Sequence, residues 1–389
     1  MMRLHRPAMR RGFTLAELMV GMMLSVLVIT ALYNMFVTVS YVFNSQSQVS
    51  ATQLRLRSAM EQVKDDLRRA GLMSTPNSER DTVGVCPPPA AAIYAVGMGD
   101  GAGENDVAVF QAFGNDLSPD TLLLSGNFTS SGTYPSSIVT GAEISVNLPP
   151  WGGPEDWEPA VYSSDGFDQA FVAGQLLRLT NAYGSSQFLS LASVDAGTRT
   201  LTLTAPPRFS VDGLCGLTGS GDQFDVNPVQ HILYRIEPRE PGNVADLETD
   251  LVRQYWDPVG QEVVDKTDVV VGQNIVDFQV WFTVQDPSDP AAALLDDGDL
   301  ADSEGPSGPT PFGVSLDGEA GSRPELVRVA GVRICARSDR EDPRWLFREP
   351  AGDNGPLIAV NLNEDRKESA RVACLTSEVE VVNLTLRNL

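Results

Sequence analysis

Met9-Arg10-Arg11-Gly12-Phe13-Thr14-Leu15-Ala16-Glu17-Leu18 opens an apolar run that continues to Phe43. Arg3, Arg6, Arg10 and Arg11 stand before Gly12, with no acid among them. From Leu18 to Phe43 there are 26 residues without a charge. As a helix they measure ~39 Å, at about 1.5 Å per residue. The hydrocarbon core of a bilayer is roughly 30 Å thick, so the segment is long enough to cross it. The arginines predict that its amino-terminal end stays cytoplasmic.

Glu17 does not belong in a plain anchor. A carboxylate one turn inside an apolar helix costs on the order of 2.5–3.5 kcal/mol on insertion scales. It needs a cation, and a free amino terminus would serve. A cut between Gly12 and Phe13 creates that amine, beside the Glu17 of a neighbouring copy or partner subunit. Gly12 and Phe13 then form a processing site, and Glu17 becomes an assembly contact. A secretory signal would be cut after the apolar run, but Asn44-Ser45-Gln46-Ser47 fits such a site poorly. An uncut signal anchor leaves Glu17 unexplained. Gly12-Phe13-Thr14-Leu15-Ala16-Glu17 resembles the class III signal of type IV prepilins: short basic leader, Gly, Phe-Thr-Leu, Glu at the fifth residue after the cut, then the run.

The chain has 389 residues and a formal net charge of -23. Without the four leader arginines, 24 basic residues face 51 acidic ones. So acidic a body should repel nucleic acid and anionic lipid. Cys86, Cys215, Cys335 and Cys374 all follow the membrane-length segment. Their even number and predicted non-cytoplasmic side favour disulfides, with three connectivities open. Cys86–Cys215 with Cys335–Cys374 is the preferred pairing, because the second pair could join two late strands. No Cys-x-x-Cys spacing suggests zinc or a thioredoxin-like pair.

Residues 44–71 carry the helix onward with a different face. Val49, Leu56, Met60, Val63, Leu67 and Ala70 fall at steps of three, four or seven, while Arg55, Arg57, Glu61, Lys64, Asp65, Asp66, Arg68 and Arg69 occupy other faces. One helix is predicted from about Phe13 to Ala70, capped by Gly71, with Pro76 just beyond. The plan is a leader (1–12), a helix (13–71, with 13–43 membrane-spanning or filament core) and a head (72–389). Short strands follow: Asp106–Phe113, Leu122–Phe128, Gln230–Ile236, Leu251–Trp256, Asn274–Val284, Leu326–Arg337 and Glu378–Leu386. Gln175–Thr180, Gln187–Val194 and Arg199–Thr204 read as a meander, turned at Asp195-Ala196-Gly197. Residues 130–166 are rich in Ser, Gly and Pro, with Trp151 and Trp157 in a Trp-Gly-Gly-Pro-Glu-Asp-Trp loop. Residues 285–325 carry Asp286, Asp289, Asp296, Asp297, Asp299, Asp302 and Glu304 and read as an exposed acidic insertion. The fold class is α+β: a long amino-terminal pilin helix, its first half membrane-spanning, packed on a head rich in antiparallel sheet.

The order of elements resembles the PilW-type minor pilins of type IVa pili. The resemblance rests on Asp106-Val107-Ala108-Val109, on Gly174-Gln175-Leu176-Leu177-Arg178-Leu179 with Gln187-Phe188-Leu189-Ser190-Leu191, and on Asn274-Ile275-Val276-Asp277-Phe278-Gln279-Val280-Trp281-Phe282. Val332-Arg333-Ile334-Cys335-Ala336-Arg337-Ser338 and Leu384-Thr385-Leu386-Arg387-Asn388 complete it. It implies cleavage and N-methylation at Phe13 by the prepilin peptidase, with no cofactor. It implies an inner-membrane, single-pass precursor with a periplasmic head. It further implies assembly on an inner-membrane platform with other minor and major pilins and a tip adhesin, in service of motility and attachment. A helix-kinking proline, common in major pilins, is missing from the run, and the body is long; both favour a minor, tip-located subunit. Gly21 and Ser25 would allow close helix approach. The rival within the class is a type II secretion minor pseudopilin. A rival outside it is a membrane-anchored adhesin or ligand-binding ectodomain.

Residue chemistry gives no enzyme. His231 is the body's one histidine, and a triad needs a histidine beside a nucleophile and an acid; no Gly-x-Ser-x-Gly elbow is present. Gly97-Met98-Gly99-Asp100-Gly101-Ala102-Gly103 lacks the Lys-Ser/Thr of a phosphate loop and reads as a flexible turn. Asp296-Asp297-Gly298-Asp299 gathers hard oxygen donors, but without EF-hand spacing; it reads as a solvated loop, with calcium the competing reading. Trp151 and Trp157 read as a cover over the domain's own core, with an adhesive patch as the alternative.

Overall fold

A single helix, α1, runs unbroken from Leu15 to Arg69. The computed structural model describes residues 15–79, 81, 85, 89, 92–99, 117, 119–130, 132–147, 164–182, 184–207, 223–239, 248–258, 262–264, 267–284, 295–296, 324–339, 357–362 and 369–384. The chain divides into two units, Met1–Ala51 and Thr52–Leu389. In the first, residues 15–39 are all exposed although nearly all are apolar. Its few hydroxyls bond back to the helix: Ser25 donates to the Gly21 carbonyl at 2.8 Å, Thr30 to Val26 at 2.8 Å and Thr38 to Asn34 at 2.9 Å. Such bonds satisfy polar side chains where no water is at hand.

In the second unit the helix turns amphipathic. Leu56, Ala59, Met60, Val63 and Leu67 are buried. Val49, expected on this face, is exposed; burial begins three residues later, at Thr52. The helix stops where the sequence predicts. Gly71 sits at φ +75°, a conformation open to glycine at little cost. Its N–H leaves the helix and donates to the Ser125 carbonyl at 2.8 Å.

The strands are β1 (Val96–Gly99), β2 (Thr121–Gly126), β3 (Tyr134–Thr140), β4 (Glu143–Val146), β5 (Leu176–Thr180), β6 (Ser186–Asp195), β7 (Thr200–Leu203) and β8 (Gln223–Pro238). After them come β9 (Thr249–Asp257), β10 (Glu262–Val263), β11 (Val269–Gln273), β12 (Ile275–Val284), β13 (Leu295–Asp296), β14 (Val327–Arg337), β15 (Ala359–Asn361) and β16 (Ser369–Glu380). A short helix, α2 (Ser164–Ala170), precedes β5. Every described pairing between named strands is antiparallel.

β8 is the pivot. In its first half Val226 lies opposite Tyr134 of β3 on one side and Leu179 of β5 on the other. In its second half Tyr234 lies opposite Leu122 of β2 and Arg253 of β9. The path β8-β3-β4-β7-β6-β5 therefore returns to β8 and closes a barrel. Ile144, Leu177, Leu179, Leu191, Leu201 and Val226 fill it, α2 adds Phe167, and Phe171 joins them just after the helix. The two phenyl rings lie 4.9 Å apart, and Phe171 meets Tyr134 edge-on at 5.4 Å. Pro228 lies opposite Leu177 of β5 on one side; on the other it falls between the β3 pairing, which ends at Val226, and the β2 pairing, which starts at Gln230. A residue without N–H is tolerated where no ladder bond is asked of it. Side-chain amides bridge that gap: Asn227 Nδ2 donates to the Gly132 carbonyl at 3.0 Å, and Gln230 Oε1 accepts from Phe128 N at 2.9 Å.

The second sheet has the order β13-β12-β14-β16-β15. Asn274, at φ +58°, is the corner between β11 of the first sheet and β12 of the second. Asp120 ties the two together: its N–H reaches the Phe278 carbonyl at 2.7 Å and its Oδ2 accepts from Val280 N at 2.8 Å. One apolar cluster joins α1 to both sheets, taking in Leu56, Leu67, Leu124, Tyr234, Phe278 and Ile334.

Several sequence expectations need correction. Residues 134–146, in a Ser-, Gly- and Pro-rich stretch for which no strand is expected, form the hairpin β3–β4, with Tyr134, Ser136, Ile144 and Val146 buried. Gly97-Met98-Gly99, read as turn, lies in β1, with Gly97 opposite Leu123. The closing strand was expected at Glu378–Leu386, but β16 covers Ser369–Glu380, and Val382–Leu384 is a 3-10 turn. The expected strand Asp106–Phe113, Trp151, Trp157 and most of the acidic stretch 285–325 lie outside the described residues.

Candidate functional site

Glu17 stands in the first turn of α1, exposed at the head of the apolar half. Gly12 and Phe13 lie outside the described residues. Gly21 and Ser25 follow Glu17 at steps of four and line the same shallow groove as Leu18, Met22 and Val26. α1 is a helix long and apolar enough to cross a membrane.

The head holds the other half of α1 through a buried charge. The helical spacing assigns Asp66 to a face other than the apolar one, yet it is buried. The missed signal is spacing: Ala59, Val63, Asp66 and Ala70 are one stripe at steps of three and four. Asp66 Oδ2 accepts the Tyr234 hydroxyl at 2.5 Å and Arg253 Nε at 2.7 Å. Burial, together with the neighbouring Asp66 carboxylate, raises the Tyr234 pKa well above its ordinary value. Burial works against the Arg253 charge, but Asp66 outweighs it and raises its pKa. Arg253 also lies over the Tyr255 ring, 5.6 Å from its centre. These bonds fix rotation and height of the helix on β8 and β9.

A second grip closes the carboxy-terminal end of α1. Asn383 Nδ2 donates to the Arg68 carbonyl at 2.7 Å, and an Arg69 guanidinium N–H to the Phe128 carbonyl at 3.0 Å. Gly126 admits the helix end: a Cβ there would lie 2.5 Å from the Arg69 oxygen. A third grip holds Arg55, whose guanidinium pairs in fork fashion with Asp339, the second contact being 3.0 Å. Asn274 Nδ2 donates to the same carboxylate at 2.5 Å. The Arg55 hydrogen bond leads the effects that hold the Asp339 pKa below the usual carboxylate range.

Cys335 and Cys374 are disulfide-bonded, directly opposite one another in β14 and β16. Cys86 and Cys215 lie outside the described residues. His231 lies within β8 and is buried. It lines a cavity of about 30 Å³ with Gln175, Gln230, Tyr255, Trp256 and Val264; that is room for a water or two. Its Nε2 has no hydrogen-bond partner among the described residues. Burial pushes its pKa down to about 4, so it is neutral at pH 7. No group of three or more His, Cys, Asp or Glu is placed to hold a metal among the described residues. Of Asp296-Asp297-Gly298-Asp299, only Asp296 is described.

Residues 7–33 match the model of the prokaryotic N-terminal methylation motif. No curated protein and no solved structure matches the chain. The match covers the basic leader end, Gly12, Phe13, Glu17 and the start of the exposed apolar helix. It marks the chain as similar to type IV pilins and pseudopilins. It implies processing by a prepilin peptidase and membrane association, and with α1 it fits anchoring in an inner membrane.

Proposed function

We propose that the chain is a minor pilin of a type IV pilus, of the PilW type, with a structural rather than catalytic role. Its precursor is cut between Gly12 and Phe13, and Phe13 is N-methylated. The precursor waits as a single-pass inner-membrane protein with its head in the periplasm. It then joins other minor and major pilins on the inner-membrane assembly platform, in a complex that primes the pilus and carries a tip adhesin. Adhesion and surface motility depend on that complex. The observation that carries the reading is the methylation motif at residues 7–33, leading straight into a helix whose residues 15–39 are exposed and apolar. The large two-sheet head with its barrel supports a tip position, since repeating so large a head at each step of a thin fibre would crowd it.

Mass spectrometry of the membrane-embedded protein is the first test, and N-methylated Phe13 is the expected terminus. Sheared filaments should contain the chain at low stoichiometry, with antibody label at one end. An intact leader would overturn the pilin reading. Absence from pili combined with a loss of protein secretion would instead assign the chain to a type II pseudopilus. Glu17→Ala should leave cleavage intact and sharply reduce pilus number; normal piliation would remove Glu17 from assembly.

A further inference from the structure

β11 is the outermost strand of its part of the first sheet. It pairs with β9 on one side, Val269 opposite Arg253 and Val270 opposite Val252, and no strand pairs with its other side among the described residues. Val269 and Val270 are 53% and 52% exposed. They point to opposite faces, so both faces of the strand are open at its margin. Val271 packs against the core, at a shift in register between Val270 and Gly272. Of the devices that blunt an exposed edge, β11 has the bulge between Val270 and Gly272 but no Lys, Pro or inward charge within Val-Val-Val-Gly-Gln. Such an edge is a template for another chain: its backbone groups supply the bonds and its apolar side chains the area.

The charges around it select the occupant. Glu262 of β10 and Asp268, just before β11, are exposed on this margin. Glu262 also stands directly opposite Asp257 of β9, a like-charge pairing that is unfavourable across strands. A second copy would bring the same acids and a net charge of -23 to the contact. A strand with basic ends would relieve both terms. We propose that β11 is a strand-addition site for an extended segment of a different protein, apolar at its centre and basic at its flanks. The proposal does not depend on which filament system the chain serves.

The test uses the full chain in detergent and a synthetic peptide, Lys-Lys-Val-Thr-Val-Thr-Lys-Lys, with a control in which every Lys is Glu. The basic peptide should bind, slow amide hydrogen exchange at residues 268–272, and bind at least about tenfold more tightly than the acidic one at low salt. Val269→Asn with Val270→Asn, which removes the apolar area without changing the charge, should abolish binding without changing the melting temperature, since neither side chain is in the core. Should that variant unfold, Val270→Lys serves instead; it should weaken the basic peptide and strengthen the acidic one. Equal affinity for the two peptides, protection away from β11, or concentration-dependent protection of β11 without peptide would each overturn the proposal. The last outcome would make this a contact between two copies.

Discussion

The two halves of α1 share a backbone and almost nothing else. Residues 15–39 expose leucine, valine, methionine and phenylalanine on every face, around Glu17. Residues 52–69 bury one stripe and solvate the rest, with Asp66 in the middle of the stripe. Helix propensity cannot separate them, because both are full of good helix formers. What separates them is the partner each demands. An apolar surface open all round requires lipid or other helices. A stripe interrupted by one carboxylate requires a sheet that supplies matching donors. Each half holds an acid that a plain helix would reject, and in the second half the sheet answers it with Tyr234 and Arg253.

Asp66→Ala is the strongest way to test that contrast. It leaves the Arg253 charge and the Tyr234 hydroxyl without their shared acceptor. Breaking a buried pair by removing one member costs about 3–5 kcal/mol. Chemical denaturation of the head in detergent should show a loss of that order, and a loss under about 1 kcal/mol would show that Asp66 is wet and the grip elsewhere. Leu67→Ala and Leu27→Ala form the next test. Leu67 is fully buried, and truncation there should cost about 2–5 kcal/mol. Leu27 is exposed, and its loss should leave head stability unchanged within about 0.5 kcal/mol. Equal effects would erase the distinction between the halves.

The sequence exposed one half of this comparison more fully than the other. Charge and run length make the bare half plain, and the Gly71 cap marks where the helix must end. The meander β5–β6–β7 is visible because its strands alternate and its second turn carries Asp195, whose Oδ1 accepts the Gly197 and Thr198 amides. Other features were hidden because their pattern depends on neighbours distant in the chain. Asp66 looks like a surface acid until Tyr234 and Arg253, 168 and 187 residues away, are placed beside it. β8 reads as one short strand, since nothing local announces that Gln223–Val229 belongs to a barrel. Val381 and Leu384 look like strand residues, but they are buried beside the end of α1, where Asn383 caps a carbonyl. Glu17 is readable as an oddity of the sequence, a carboxylate one turn inside an apolar helix.

His231 sharpens the comparison from inside the sheet. A buried histidine with a depressed pKa stays neutral in the fold and takes a proton on unfolding. Stability from this group is therefore whole above pH about 6.5 and declines as pH falls toward 4. Between pH 7 and pH 5 the loss comes to about 2 kcal/mol. His231→Gln should flatten that part of the stability profile, whatever it does to stability at pH 7. An unchanged slope would mean that the cavity admits enough water to solvate the imidazolium.

Arg55→Ala should have the smallest effect, and it probes the point where the two halves of the helix meet. Arg55 and Asp339 are both partly solvated, so their pairing contributes roughly 0.2–1 kcal/mol to global stability. Asp339 keeps its Asn274 contact when the arginine goes, which limits the damage further. The sign with pH follows from the depressed Asp339 pKa: the stabilisation is present at neutral pH and is lost as pH falls through the folded-state value. The expected signature is local. Amide exchange should quicken at residues 52–58 and stay slow at 63–69, where Asp66 and the Asn383 cap still hold. If the faster exchange spreads through the whole buried half, α1 releases from the head as one unit and its grips are a single cooperative clasp. If it stops near Ala59, the junction frays turn by turn, and the boundary between bare and gripped helix can shift without loosening the core.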